Sequence, residues 1–263
     1  MCRLAAYLGE TETSLSSLTM EAEHSLLAQS YAPREMLSGV VNADGFGAAW
    51  YTPEVDDAPA VHRSNSPMWA DRSFAGIAPK VRSRSIFAAL RNATPGLPAE
   101  ESGVPPFASG KYSFMHNGAI DGFRHTAMRP LRDTLSDERY SDIIGASDSE
   151  TIFACLLDRM DGSTDLREAI LETIRLVSDV CEARGTKATL NLGATDGEEM
   201  VFARHSTEGP DNSLYFIEGG EAFPNAVVVA SERFDGDEGW REVPSRSLLR
   251  VGGHGVRTEK IPT

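Results

Sequence analysis

Strand-like runs occupy both ends of this chain, and two capped amphipathic helices sit between them with no regular strand–helix–strand alternation. A doubly wound parallel sheet needs a crossover helix after nearly every strand, so this order argues for an α+β layered fold. The helices carry the sharpest signals. Ser147-Asp148-Ser149-Glu150 is an S-x-x-E capping box ahead of Ile152, Phe153, Leu156 and Leu157. The next helical pattern puts Leu166, Ile170, Ile174, Val177 and Cys181 on one face and stops near Gly185.

The first residues alternate and predict a strand beginning almost at the terminus. Residues 15–28 read as short helix and loop. Asn42-Ala43-Asp44-Gly45 predicts a turn entering a strand that ends near Tyr51, with 60–64 as its partner. Residues 69–81 have helical spacing, 85–91 and 111–116 read as strands, and 95–110 is an irregular Pro/Gly-rich loop. Further on, 188–194 and 200–203 flank the hairpin signal Thr195-Asp196-Gly197-Glu198. Strands are predicted again at 214–217, 226–230 and 248–251. No repeat or linker divides the chain, so residues 1–263 read as one domain.

Composition narrows the function classes. The chain has 25 Lys+Arg against 39 Asp+Glu, a net charge of −14, which argues against a nucleic-acid partner needing a concentrated basic face. No uncharged apolar run approaches the roughly 18 residues of a membrane span, and no secretory leader is recognisable, so the cytoplasm is the expected compartment. Cys2, Cys155 and Cys181 are odd in number and widely spaced, which suggests neither a disulfide framework nor a zinc site. The six histidines lack metal-binding spacing, and no phosphate-cradling glycine motif is present; no metal and no cofactor are expected.

Four constellations bear on chemistry, each with an ordinary structural alternative. Once an initiator Met is removed, Cys2 carries its own α-amine, whose reference pKa of about 7.7–8.0 suits it to accept a thiol proton. Alternatively, position 2 is merely a small residue in a strand. Arg91, in Arg91-Asn92-Ala93-Thr94-Pro95-Gly96, can grip a carboxylate bidentately, with the Thr94 hydroxyl beside it, or can sit in a surface ion pair. In Phe114-Met115-His116-Asn117-Gly118, the Asn117 amide and Gly118 N–H can form an oxyanion hole, or Asn-Gly can be a tight turn. His116 reads as a core histidine in preference to a base. Asp148 can bind a substrate ammonium, or serve only the helix N-terminus. Together the four describe one chemistry, the attack of a thiol on an amide whose substrate carries a free amino-acid head.

Met1-Cys2-Arg3, Asn42-Ala43-Asp44-Gly45-Phe46-Gly47, Arg91-x-Ala93-Thr94-x-Gly96, His116-Asn117-Gly118 and Asp148-Ser149-Glu150 resemble the class II glutamine amidotransferases. That resemblance implies an N-terminal nucleophile hydrolase with an αββα sandwich. It implies Cys2 as nucleophile, Asn117 and Gly118 as oxyanion hole, and Arg91, Thr94 and Asp148 around a γ-glutamyl head, with His116 grouped beside the substrate through its motif. His24-Ser25-Leu26-Leu27, Ala32-Pro33-Arg34-Glu35-Met36, Ala230-Ser231-Glu232 and Gly239-Trp240-Arg241-Glu242-Val243-Pro244 are similar to the γ-glutamyl hydrolases of ergothioneine biosynthesis, although Leu4-Ala5-Ala6 departs from the His-Leu-Gly expected there. The narrower likeness implies release of glutamate from γ-glutamyl-hercynylcysteine sulfoxide. The expected partner is thus a small γ-glutamyl substrate, with neither nucleic acid nor membrane, and a homo-oligomer is compatible with it. The rival is an ammonia-donating glutaminase subunit with a separate synthase; more distantly, a binding protein without turnover. A hercynyl leaving group carries a trimethylammonium, which aromatic faces attract; Trp50, Tyr51, Trp69 and Phe74 are the candidates.

Overall fold

The computed structural model describes residues 2–37, 39–93, 100–162 and 165–262. Its frame is two antiparallel sheets. The seven-stranded sheet holds β1 (Arg3–Ser14), β2 (Phe46–Trp50), β3 (Ala60–Ser64), β4 (Arg82–Leu90), β9 (Tyr215–Glu218), β10 (Ala226–Ala230) and β11 (Arg241–Glu242), in the order β11-β9-β10-β1-β4-β2-β3. The six-stranded sheet holds β5 (Phe107–Ser109), β6 (Tyr112–Ile120), β7 (Ala188–Thr195), β8 (Met200–Ser206), β12 (Ser247–Gly252) and β13 (Gly255–Lys260), in the order β13-β12-β8-β7-β6-β5. The short helices α1 (Leu26–Tyr31) and α2 (Arg72–Ile77) cover the outside of the first sheet. Helices α3 (Met128–Arg132), α4 (Asp137–Ser141), α5 (Asp148–Met160) and α6 (Leu166–Arg184) follow β6, and α3, α5 and α6 cover the second sheet.

Strand periodicity sorts the core into layers. On β1, Leu4 and Ala6 point between the sheets, while Ala5 and Tyr7 point to the outer layer. On β6, Met115 faces the inter-sheet core, and Phe114 and Ile120 face the helices. The result is the four-layer αββα sandwich that the resemblance implies.

Local chemistry explains where sequence and structure part. The helical spacing of 69–81 yields only one tight turn at Met68–Ala70 and the six-residue α2, because Asp71 caps a new start by accepting the Phe74 N–H at 2.8 Å. Within the irregular 95–110 stretch, β5 forms by pairing with β6, a gain no local signal announces. The capping box is half made. Ser147 accepts the Glu150 N–H, but the Glu150 carboxylate accepts from Ile144 and Gly145 N–H instead of returning to Ser147. Helix α6 ends as its Gly185 predicts, in the left-handed region at φ 59°.

The start of β1 is fixed by a buried carboxylate. Glu232, just beyond β10, accepts from His24 Nε2 at 2.6 Å and from the backbone N–H of Arg34 and Glu35 at 2.8 and 3.1 Å. The fully buried Arg3 guanidinium lies 3.4 Å away. Burial pushes the Glu232 carboxyl up, but those hydrogen bonds and the Arg3 charge outweigh it and hold it below the usual carboxylate range. Its stabilisation is therefore complete above that range and lost as pH falls through the lowered folded value. Glu232→Gln is expected to cost about 3 kcal/mol at neutral pH, because it strands a buried cation. The Tm difference from the parent should shrink as melting is repeated from pH 7 down to about pH 3.

Candidate active site

Antiparallel register places the first site residues in one row. Arg3 pairs with Leu90, and Leu90 with Phe46. One residue further toward the sheet end, Cys2 comes opposite Arg91, and the Arg91 N–H donates to the Gly45 carbonyl at 2.8 Å. Residues directly opposite share a face, about 5 Å apart between Cα atoms. The row of Cys2, Arg91 and Gly45 has the parity of Leu4 and Ala89, which face the second sheet. The Asn42–Gly47 motif thereby gains a structural meaning. Asp44 N–H donates to Arg91 O at 3.2 Å, and the Asp44 carboxylate accepts the Ala93 N–H at 2.8 Å, so this segment holds Arg91 from both sides. The Arg91 guanidinium extends to the segment after the loop, where Nη1 donates to Glu100 O at 3.3 Å. Its Nη2 would lie 2.8 Å from a Cβ at Gly103, so a side chain there would displace it. Thr94 lies outside the described residues.

The second sheet supplies the facing wall. Asn117 shares the inward parity of Met115 and is fully buried. Its Nδ2 donates to Ser231 Oγ at 3.2 Å, and the same hydroxyl accepts the Leu4 N–H at 3.0 Å. Asn117 is thus connected through one oxygen atom to the strand that carries Cys2. The Gly118 N–H follows from the ladder. Asp121 N–H bonds Lys187 O across to β7, so Ile120, Gly118 and His116 present their N–H groups to the other edge, beyond the end of β5. There the Ile120 N–H donates to Asp148 Oδ2 at 2.9 Å. Gly118 is required for space as well, since a Cβ would fall 1.8 Å from the Thr189 carbonyl oxygen.

Asp148 opens α5 and is buried. Its Oδ1 accepts the Ser149 N–H at 2.7 Å. Held by Ile120 and its own helix terminus, the carboxylate stands two residues along the strand edge from the Gly118 N–H, about 7 Å. His116 takes a different position. It points to the helix layer, opposite to Asn117, with Nε2 3.0 Å from the Thr189 carbonyl and Nδ1 3.0 Å from Ser149 Oγ. A carbonyl only accepts, so Nε2 donates to Thr189, and Nδ1 is paired with the Ser149 hydroxyl, which also lies 3.3 Å from Asp148 Oδ1. This geometry gives His116 the job of tying α5 to the sheet and leaves it no free nitrogen for a substrate.

The aromatic candidates separate cleanly. Trp50 and Tyr51 lie at the far end of β2 from Gly45, and the Tyr51 hydroxyl donates to Lys111 O at 2.8 Å. Phe74 is core, packed on Phe46 and His62. Trp69 alone is exposed at the site's end of the sheet, edge-to-face with Tyr31 at 6.2 Å between ring centroids. Sequence reading passed over Tyr31, and it also passed over Asn212, whose Nδ2 donates to Asn117 Oδ1 at 3.3 Å. Neither has a local motif to announce it. Among the described residues, no three His, Cys, Asp or Glu side chains gather to hold a metal, and no helix is long and apolar enough to cross a membrane.

The family model described as "Glutamine amidotransferases class-II" matches residues 13–261. The chain is 36% identical over 253 residues to a γ-glutamyl-hercynylcysteine sulfoxide hydrolase of Mycolicibacterium smegmatis, covering 95% of this chain and 96% of that protein. It is 31% identical to the probable glutamine amidotransferase DUG3 of Saccharomyces cerevisiae, covering 95% of this chain and 82% of that one. Among solved structures, a glutamine aminotransferase class-II domain protein from Silicibacter pomeroyi superimposes with a TM-score of 0.72 at 24% identity, over the whole of both chains. The glutamine phosphoribosylpyrophosphate amidotransferase of B. subtilis gives 0.67 at 18%, covering all of this chain and half of that one. The chain belongs to the class II glutamine amidotransferase family.

Proposed function

We propose that the protein is a single-domain cytoplasmic thiol hydrolase that releases glutamate from γ-glutamyl-hercynylcysteine sulfoxide, with Cys2 as nucleophile after removal of Met1. The observation that carries the reading is the bond chain from Asn117 through Ser231 Oγ to Leu4, which ties Asn117 to the strand that leads back to Cys2, beside the Arg91 strand. Arg91 receives the α-carboxylate of the glutamyl head and Asp148 its ammonium, a pairing of opposite charges at fixed places. The α-amine of Cys2 takes the thiol proton, and the sulfur attacks the γ-carbonyl carbon. The charge that gathers on the carbonyl oxygen meets Asn117 Nδ2 and Gly118 N–H. Collapse breaks the C–N bond, and the α-ammonium returns its proton to the departing amine. Water, deprotonated by the same α-amine, then opens the thioester and restores the thiol.

The leaving amine is read from the relatives and from the rim. The mycobacterial relatives carry the name of the sulfoxide hydrolase at 36% identity. The exposed Trp69 face beside Tyr31 offers a surface for a quaternary ammonium.

Intact mass should lack Met1, and iodoacetamide at pH 7.5 should label the native protein once, at the half-exposed Cys2. Burial pushes the Cys155 thiol up to about 12 and the Cys181 thiol up to about 11, so neither competes. Cys2→Ala should abolish glutamate release; retained turnover would refute the nucleophile. Asn117→Ala should lower kcat by about 10²- to 10³-fold, with KM little changed. Trp69→Ala should raise KM about 3- to 10-fold for the hercynyl sulfoxide, while glutamine turnover stays as it was. Preference for glutamine over the sulfoxide would instead favour an ammonia-donating subunit.

A further inference from the structure

The Asn117 side chain can supply a donor to the developing oxyanion only if its amide is turned the right way. A primary amide has two nearly isosteric ends, Nδ2 a donor and Oδ1 an acceptor, and the wrong end would repel the charge it should stabilise. Asn212 selects the orientation seen here, and Ser231 fixes its place. Asn212 Nδ2 donates to Asn117 Oδ1 at 3.3 Å and to the Asn117 carbonyl at 3.0 Å. Ser231 Oγ accepts from Asn117 Nδ2 at 3.2 Å. One Nδ2 hydrogen is therefore engaged and the other is left for a ligand.

Neither clamp is itself free to turn. Ser231 Oγ also accepts the Leu4 N–H at 3.0 Å, and the Ser231 N–H donates to Leu4 O at 2.9 Å. The Leu4 bonds hold the hydroxyl in one place, but a hydroxyl both donates and accepts, so Ser231 fixes the position of the Asn117 amide while Asn212 selects which end faces where. The Asn212 carbonyl accepts from Asn191 Nδ2 at 3.1 Å and from Arg204 Nε at 2.9 Å. Arg204 in turn donates to the Val243 carbonyl, so the segment bearing Asn212 is fastened to both sheets. Ser231, Asn212 and Asn117 are all buried.

We propose that Ser231 and Asn212 are positioning residues. Asn212 locks the donor end of Asn117 toward the scissile carbonyl, and Ser231 sets the distance between that donor and the strand bearing the nucleophile. This rests on the assignment of Asn117 to the oxyanion hole. Ser231 is the sharper test, since it joins Leu4 of the nucleophile strand and Asn117 through a single atom.

The experiment is a double-mutant cycle of Ser231→Ala and Asn117→Ala, read by steady-state kinetics on a γ-glutamyl substrate and by thermal melting. Ser231→Ala is expected to lower kcat about 5- to 20-fold, part of the loss from removing an oxyanion donor outright, with KM within about twofold. In the Asn117→Ala background the same change should add less than about twofold to the loss, because the group it positions is gone. An equal loss in both backgrounds would make Ser231 a purely structural residue and overturn the proposal. So would an unchanged kcat in Ser231→Ala while Asn117→Ala is impaired. Full activity in Asn117→Ala would instead remove the oxyanion assignment, and the clamp with it.

Discussion

The place of Cys2, one residue before β1, depends on the pairing of β1 with its two neighbours. Central placement between β4 and β10 supplies backbone hydrogen bonds on both sides. Beyond the last paired residues of β10, Ser231 and Glu232 continue the grip with side chains on opposite faces. Ser231 reaches inward to the Leu4 N–H, and Glu232 outward to Arg3. Adjacent residues of an extended strand point to opposite faces, which is why one dipeptide can serve both the site and the outer layer.

The same alternation divides the His116-Asn117-Gly118 tripeptide. Asn117 faces the inter-sheet space and Ser231, while His116 faces the helices and binds Ser149, next to Asp148. A single strand thus positions Asn117, the Gly118 N–H and, through Ile120, the α5 terminus that carries Asp148, the groups proposed for the oxyanion and the substrate ammonium. Asp148 has a structural role already, through Ile120 and Ser149, and that role fixes it for a ligand. Structural and functional readings of such residues are compatible: a carboxylate held by backbone donors is pre-organised for the charge it meets.

Legibility followed locality. The α5 and α6 helices and the β7–β8 hairpin were predictable because caps, periodicity and turn residues act within a few positions, whereas the turn expected at 42–45 is only a bend at Asp44. The strand β5 and the shortening of the 69–81 helix were not, because one depends on pairing and the other on which competing cap wins. Tyr31 and Trp69 meet only after α1 and the 68–70 turn are folded onto the same end of the sheet. Trp50 and Tyr51 carry the same composition signal, yet strand direction sends them to the other end.

Sequence by itself determined the residue types: a thiol beside the chain start, a guanidinium, an amide followed by glycine, and a capped carboxylate, in an order that resembles one family. It also determined the layered α+β character, through strand-like ends around capped helices. Only the tertiary structure decided that Asn117 is bridged through Ser231 to the strand of Cys2, that His116 turns to the helices, and that Asn212 bonds Asn117. The physical reason is sequence distance. Leu4 and Ser231 are 227 positions apart, and Asn117 and Asn212 are 95 apart. Contacts of that separation are chosen by register between strands, and no local pattern encodes which residue will stand opposite another.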